Sequence, residues 1–338
     1  MHRRELLSGA AGAAALALPR RSWADDVKFE VPVLRYQGQA ALVTYPELAE
    51  DLGYLAPLRL NWIGNTISGP QDIQAAVTKD VDFGGAFNGS IIKLIAAGAK
   101  IKAVLASAGC DRKAWGGIFV LDEGPIRQPL DLIGKKIGIN TLGAQAEFDI
   151  ATYLQINGAT AQQIAEVEEV VLPPINAEQA LREKQIDAIL LSGALQDIAI
   201  AHGGLRLLAT EYELYGSATM SAYVLRTDFM RDAPNTSRRF VEATARAIDW
   251  VQSHPRDEVI ERFVRIIHQR GRHETDEVVH YWHSPAMPNR GGLLDDSAFT
   301  RFIDWYVRNG LPAIGRVQPK DLYTNTLNPF RDGASDPG

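Results

Sequence analysis

Thr141-Leu142-Gly143-Ala144-Gln145 sets two side-chain donors beside two small residues, where a short apolar run gives way to a helical pattern. A helix that begins there leaves backbone N–H groups without intrahelical partners, and its dipole favours negative charge. Gly143 and Ala144 let a ligand approach the backbone, while Thr141 and Gln145 add their own donors. Two or three such bonds, at about 1.5–3 kcal/mol each to a charged group, would hold a small anion without a salt bridge. A second loop, Gly85-Ala86-Phe87-Asn88-Gly89-Ser90, makes the same strand-to-helix passage and offers Phe87 and Asn88. Tyr36 and Gln37, Trp115, and Ser192 close other apolar runs and complete the set of candidate contacts. If the ligand is instead a neutral ring, Tyr36, Phe87 and Trp115 are its stacking walls. Each residue also has a packing explanation: a tight connection for Gly85 to Ser90, a core aromatic for Tyr36 or Trp115.

Catalytic chemistry finds little support. No G-x-S-x-G nucleophile turn and no H-E-x-x-H zinc motif occurs, and Gly84 to Ser90 lacks the lysine of a phosphate loop. His280 and His283 stand three apart, but no acid or cysteine lies at matching spacing, so they read as surface histidines outside the ligand region. Arg112 and Lys113 read as a solvated pair. Cys110 is the single cysteine, a small apolar filler with no intrachain partner. No catalytic residue, metal or cofactor is expected.

Composition fits a globular chain of 338 residues, 46% hydrophobic and 22% charged. The net charge is -6, but residues 1–24 hold four arginines against Glu5, a net of +3, which leaves the remainder at -9. Long-range attraction to nucleic acid or anionic lipid is thereby excluded. Residues 1–24 themselves read as an export signal. Arg3-Arg4 precede the apolar stretch Leu6 to Leu18, and Ser22-Trp23-Ala24 offers small residues for cleavage. The paired arginines, and Arg20-Arg21 after the apolar run, fit the twin-arginine route.

The elements that must position the candidates alternate. Val31–Tyr36, Leu58–Ile63, Val81–Gly84 and Lys102–Ala106 read as strands, with helices over Ala40–Asp51, Pro70–Thr78 and Ser90–Ala97 between them. The pattern repeats with strands Ile137–Asn140, Val167–Leu172, Ala188–Leu191 and Leu205–Ala209, separated by helices Ala144–Asn157, Ala177–Lys184 and Leu195–His202. Ala75 to Asp82 echoes Ala180 to Asp187: a helix ending on Lys, then a branched residue and Asp leading into a strand. Two related α/β units follow from that grammar. Beyond a strand at Ser221–Arg226 the chain is helical, over Asn235–Ser253, Asp257–Arg270, Glu274–Tyr281 and Asp295–Asn309.

Four segments in order carry a family likeness: Val81-Asp82-Phe83-Gly84-Gly85, Gly98 to Val104, Asp131 to Gly138, and Ala180 to Ala188. The chain resembles the sulfonate/nitrate/taurine group of periplasmic solute-binding proteins, relatives of the thiamine-pyrimidine synthases. It departs from them at Lys79 and Lys184, where similar proteins carry glycine. The resemblance implies a type II periplasmic binding protein fold, two α/β lobes with a ligand cleft between them and a helical carboxyl-terminal region. Lobe 1 would comprise residues 27–117 and 222–330, and lobe 2 residues 118–221, with crossings near Ile118–Leu121 and Ala222–Arg226. It further implies a periplasmic monomer that captures a sulfonate, taurine or nitrate and delivers it to the membrane permease of an ABC importer. The same clamp holding a pyrimidine, a thiamine precursor or an aromatic acid is the alternative. An exported enzyme on this fold is a third reading. The enzymatic relatives use a cysteine-rich segment that Cys110 alone cannot reproduce.

Overall fold

Three sheets among the described residues, two in the first lobe and one in the second, account for the alternating pattern. The computed structural model describes residues 28–333, so the expected export signal lies outside the described residues. The first half runs β1 (Val33–Gly38), α1 (Tyr45–Asp51), β2 (Arg59–Asn65), α2 (Gly69–Thr78), β3 (Phe83–Phe87), α3 (Asn88–Ala96) and β4 (Ile101–Cys110). The chain then enters β5 (Gly117–Leu121), β6 (Lys136–Ile139), α4 (Gln145–Ile156), α5 (Ala161–Ile164) and β7 (Glu168–Val171). Next come α6 (Pro174–Arg182), β8 (Ala188–Leu191), α7 (Gly193–His202) and β9 (Leu205–Thr210). It returns through α8 (Glu211–Tyr215) to β10 (Ala218–Arg226) and α9 (Thr227–Asp232). The long helices α10 (Pro234–Ser253), α11 (Arg256–Gln269) and α12 (Ser297–Arg308) follow, then the short α13 (Pro319–Leu322).

In the first lobe β1 pairs with β2 in parallel, and β10 lies antiparallel between β3 and β4. The second lobe orders its strands β7-β6-β8-β5-β9, with β6 parallel to its neighbours and β5 antiparallel between β8 and β9. The three- and five-stranded sheets therefore each insert, next to β4 and β9 respectively, a strand that arrives from the other lobe. The passages themselves are Asp111–Gly116 and Glu211–Ser217, upstream of the Ile118–Leu121 and Ala222–Arg226 expected from sequence, because β5 and β10 are fully committed to one sheet each.

The echoed octapeptides have a structural reason. The Asp82 N–H donates to the Arg35 carbonyl at 2.9 Å, and its carboxylate accepts the Arg35 N–H at 2.7 Å. Asp187 does the same to Lys136, at 2.7 Å and 2.9 Å. Asp82 thus stitches β3 to β1, and Asp187 stitches β8 to β6. The lysines before them, Lys79 at φ 70° and Lys184 at φ 56°, turn the helix end in the left-handed region without glycine. That conformation costs an L-residue about 1 kcal/mol.

Apolar spacing builds the rest. Phe240, Ala247, Ile248 and Val251 of α10, and Phe299, Phe302 and Tyr306 of α12, are buried on one face each. The helix expected at Glu274–Tyr281 is a short 3-10 turn over Glu277–Tyr281, because Gly271 and His273 both take positive φ and reverse the chain first. Among the described residues no helix is long and apolar enough to cross a membrane.

Candidate functional site

A cavity of about 340 Å³ lies where both lobes and the carboxyl-terminal region meet. The loop after β1 gives Leu42 and Val43, the first passage gives Lys113 to Trp115, and the start of α7 gives Gly193, Ala194, Gln196 and Asp197. Phe263 of α11 and the segment Val278–Ser284 close it. Its size suits a small molecule. Trp115, Phe263, Tyr281 and Trp282 make apolar walls, with Phe263 and Trp282 packed edge to face at 5.8 Å.

Polar groups hold those walls in place. Asp111 Oδ1 accepts the N–H groups of Lys113 and Ala114 at 2.6 and 2.8 Å, a local turn that aims Trp115. Its other oxygen accepts the Ser284 hydroxyl at 2.8 Å, tying the carboxyl-terminal segment to the passage. His283 pairs with Asp197 of α7 at 2.8 Å, a contact between that segment and the second lobe. Ser192 makes no side-chain cap at α7, so the first N–H groups of that helix have no intrahelical or capping partner. Gln196 is buried, and its Oε1 has no hydrogen-bond partner. The arrangement can grip a flat molecule, satisfy a donor on it, and meet an acceptor at the helix start.

The sequence candidates scatter around this cavity. Trp115 lines it, and Ser192 stands at its helix start. Gln145 and Ser192 share a smaller recess of about 160 Å³ with Asn140, above the ends of β6 and β8. Tyr36 is a core residue: its hydroxyl donates to Glu47 at 2.7 Å and its ring stacks on Phe83 at 5.7 Å. Around it Arg270 and Arg272, both buried, pair with Glu47 at 3.2 and 2.8 Å. Gln37 is half-buried beside it, with an unpartnered Oε1.

Phe87 packs on Phe148 of α4 and Phe302 of α12, at 5.9 and 4.7 Å, so aromatic side chains fill the space between α3 and α4. Asn88 is fully buried and donates to the Thr219 and Ala298 carbonyls at 3.2 and 2.9 Å. Its role is to join β10 to α12. Thr141, Gly143 and Ala144 do precede α4, but the tip is served from within. Glu147 Oε2 accepts the Gly143 N–H at 2.7 Å, and the Gln145 amide donates to Glu211. A ligand anion there would displace the chain's own carboxylates.

Sequence reasoning missed three features. Val278–Ser284 contributes wall residues, His283 among them, whereas His280 is exposed and is not part of the lining. Lys113 is exposed, as a solvated residue, and also lines the cavity. Asp149 and Glu211 form a buried acidic pair, Glu211 bonding to the Gly116 N–H, and burial holds both carboxyls above their ordinary range. The signal for Asp149 was available, an acid inside the apolar run Phe148-Asp149-Ile150-Ala151. Cys110 is buried near this pair, and burial, with the charge of the two acids, pushes its thiol up to about 12. Among the described residues no cluster of three metal-binding side chains occurs.

The chain belongs to the NMT1/THI5-like family, whose model matches residues 49–258. No curated protein matches it. Among solved structures, the ligand-binding component of an ABC-type import system from Staphylococcus aureus superposes with a TM-score of 0.67 at 13% identity, over 87% of this chain and 97% of that one. The periplasmic aliphatic sulphonate-binding protein of Escherichia coli gives 0.62 at 18% identity, over 86% and 90%. The periplasmic nitrate-binding protein of Synechocystis PCC 6803 gives 0.64 at 14% identity, over 88% of each. The fold is therefore that of the two-lobed periplasmic binding proteins. At such identities the likeness speaks for architecture alone.

Proposed function

We propose that this protein is the solute-binding component of an ABC importer, working outside the cytoplasm and handing its ligand to a membrane permease. In this reading the segments β1 to β4 and β10 to α13 form one jaw and β5 to β9 the other. The observation that carries it is the cavity itself, whose lining comes from both lobes and from the segment bridging them. A ligand that touches both lobes stabilises the closed arrangement by its differential affinity. The binding proteins of sulphonate, nitrate and an import system that share the architecture support the same reading.

The ligand class that fits is a small ring compound of the pyrimidine or aromatic-acid kind. Trp115, Trp282 and Phe263 offer faces and edges to a ring, and Gln196 Oε1 calls for a donor such as an exocyclic amine. A small anion of the sulfonate, taurine or nitrate type is the second reading, favoured by the uncapped start of α7 and by Lys113 on the cavity wall.

Titration of the purified protein separates them. A 4-aminopyrimidine, benzoate, taurine, a short alkanesulfonate and nitrate are added in turn while tryptophan fluorescence and melting temperature are followed. The ring compounds are expected to quench fluorescence and raise the melting temperature, and Trp115→Ala to weaken them by tenfold or more, about 1.4 kcal/mol. Response to nitrate or taurine alone, lost in Lys113→Ala and kept in Trp115→Ala, favours the anion. Silence toward all five ends the proposal for these classes.

A further inference from the structure

We infer that Asp149 and Glu211 share one proton, and that this proton-sharing pair is the positioning device for Trp115, the cavity wall on the first passage between the lobes. The importance of that wall rests on the function proposed above; the pair itself does not.

Counting donors leads to the proton. Asp149 is 1% exposed and Glu211 4% exposed, and the two carboxyls lie within hydrogen-bonding reach of each other and of the Gln145 amide. Three of their four oxygens have donors. The Tyr215 hydroxyl serves Asp149 Oδ1 at 2.7 Å, the Gln145 amide serves Glu211 Oε1, and the Gly116 N–H serves Glu211 Oε2 at 2.8 Å. Asp149 Oδ2 is buried and receives none. Two carboxylates cannot bond to each other without a hydrogen, so Asp149 Oδ2 carries it and donates to Glu211. The ionisable groups facing the pair are Tyr215 of α8, Cys110 at the end of β4, and Arg301 of α12, whose guanidinium lies over the Tyr215 ring at 5.5 Å. None of them supplies a compensating hydrogen bond to Asp149 Oδ2.

The link to the cavity is Gly116. Its N–H donates to the Glu211 carboxylate, and its carbonyl accepts the Glu211 N–H at 2.8 Å. A Cβ at that position would stand 2.8 Å from Glu211 Oε1, so the contact needs glycine. Trp115 is the next residue and lines the cavity. Removing the proton puts two like charges in contact in a buried place, and the clamp on Gly116 loosens first, because it is the part that reaches the passage.

The test needs no ligand, so its failure and the failure of the importer reading are separable. Infrared spectra are taken at about pH 8, where most exposed carboxyls and any titrating near 7 are ionised. The wild type is expected to keep a protonated-carboxyl band that Asp149→Asn lacks. Acrylamide quenching of Trp115, isolated by difference against Trp115→Phe, is followed from about pH 6 to about pH 10. It should rise about twofold in the wild type and stay flat in Asp149→Asn, whose amide keeps a donor toward Glu211. If Asp149→Asn does not fold, Glu211→Gln provides the same comparison, and if neither folds the wild-type band and its loss with pH decide. No such band in the wild type, or the same quenching profile in wild type and a folded variant, overturns the inference.

Discussion

Replacing Asp82 and Asp187 by alanine, one at a time, tests whether the two halves of the echo are energetically alike. Their backbone duties match, but their surroundings do not. Asp82 is 4% exposed and accepts both the Arg35 N–H at 2.7 Å and the Arg35 guanidinium, at 2.9 Å through Nη2 and 3.2 Å through Nε. Asp187 is half-buried and holds the Lys136 N–H alone, at 2.9 Å. Breaking a buried pair by removing one partner costs about 3–5 kcal/mol. The Arg35 side chain is 43% exposed, so water recovers part of its solvation and the expected loss falls to about 2–3 kcal/mol. Asp187→Ala gives up one hydrogen bond at a place water can reach, about 1 kcal/mol. Asp82→Asn keeps an acceptor for the Arg35 N–H and loses the charge, so it should fall between wild type and Asp82→Ala. Urea unfolding followed by circular dichroism and by tryptophan fluorescence gives the midpoints, read as free energies where the two probes coincide. Equal losses at positions 82 and 187, or a wild-type midpoint for Asp82→Asn, would refute the assignment of the difference to the ion pair.

Three further outcomes are expected. Lys184→Gly should stabilise the protein by about 0.5 kcal/mol, since relief of the left-handed backbone exceeds the added unfolded-state entropy; a lower urea midpoint would count against it. Burial pushes the carboxyls of Asp72 and Glu169 up to about 7, with Glu147 adding to the effect on Glu169. Raised above their unfolded values, they bind more protons in the folded state, so stability falls as pH rises from about 4 to about 7, by up to about 1.4 kcal/mol per unit for each. Melting temperatures from pH 5 to pH 8 should show that slope, reduced in Asp72→Asn, and a rise over the same interval would contradict it. Gly109→Ala should abolish folding or cost more than about 3 kcal/mol, because its Cβ would sit 2.1 Å from the Ala286 carbonyl oxygen and 2.4 Å from that of Ala218. Wild-type melting of that variant would show that the end of β4 has room to move.

The sequence by itself determined the two α/β lobes, because period-two and helical apolar spacing reports which face of each element is buried. It also marked the places where lysine must turn a helix without glycine, and the Asp that follows each. What buries those faces was left to the tertiary structure. Phe87 ends β3, past the Gly84 expected, and Asn88 opens α3, and α12, more than 200 residues later, fills the space before them. Thr141 to Gln145 has the composition of an anion grip, but its Gly143 N–H is met by Glu147 and its Gln145 amide by Glu211, which arrives from the returning passage. The cavity moved instead to Trp115 and α7, roofed by Val278–Ser284, a segment with no local pattern that distinguishes a roof from a loop. A helix start is an open site only while nothing in the fold caps it, and that depends on contacts between residues far apart in the chain.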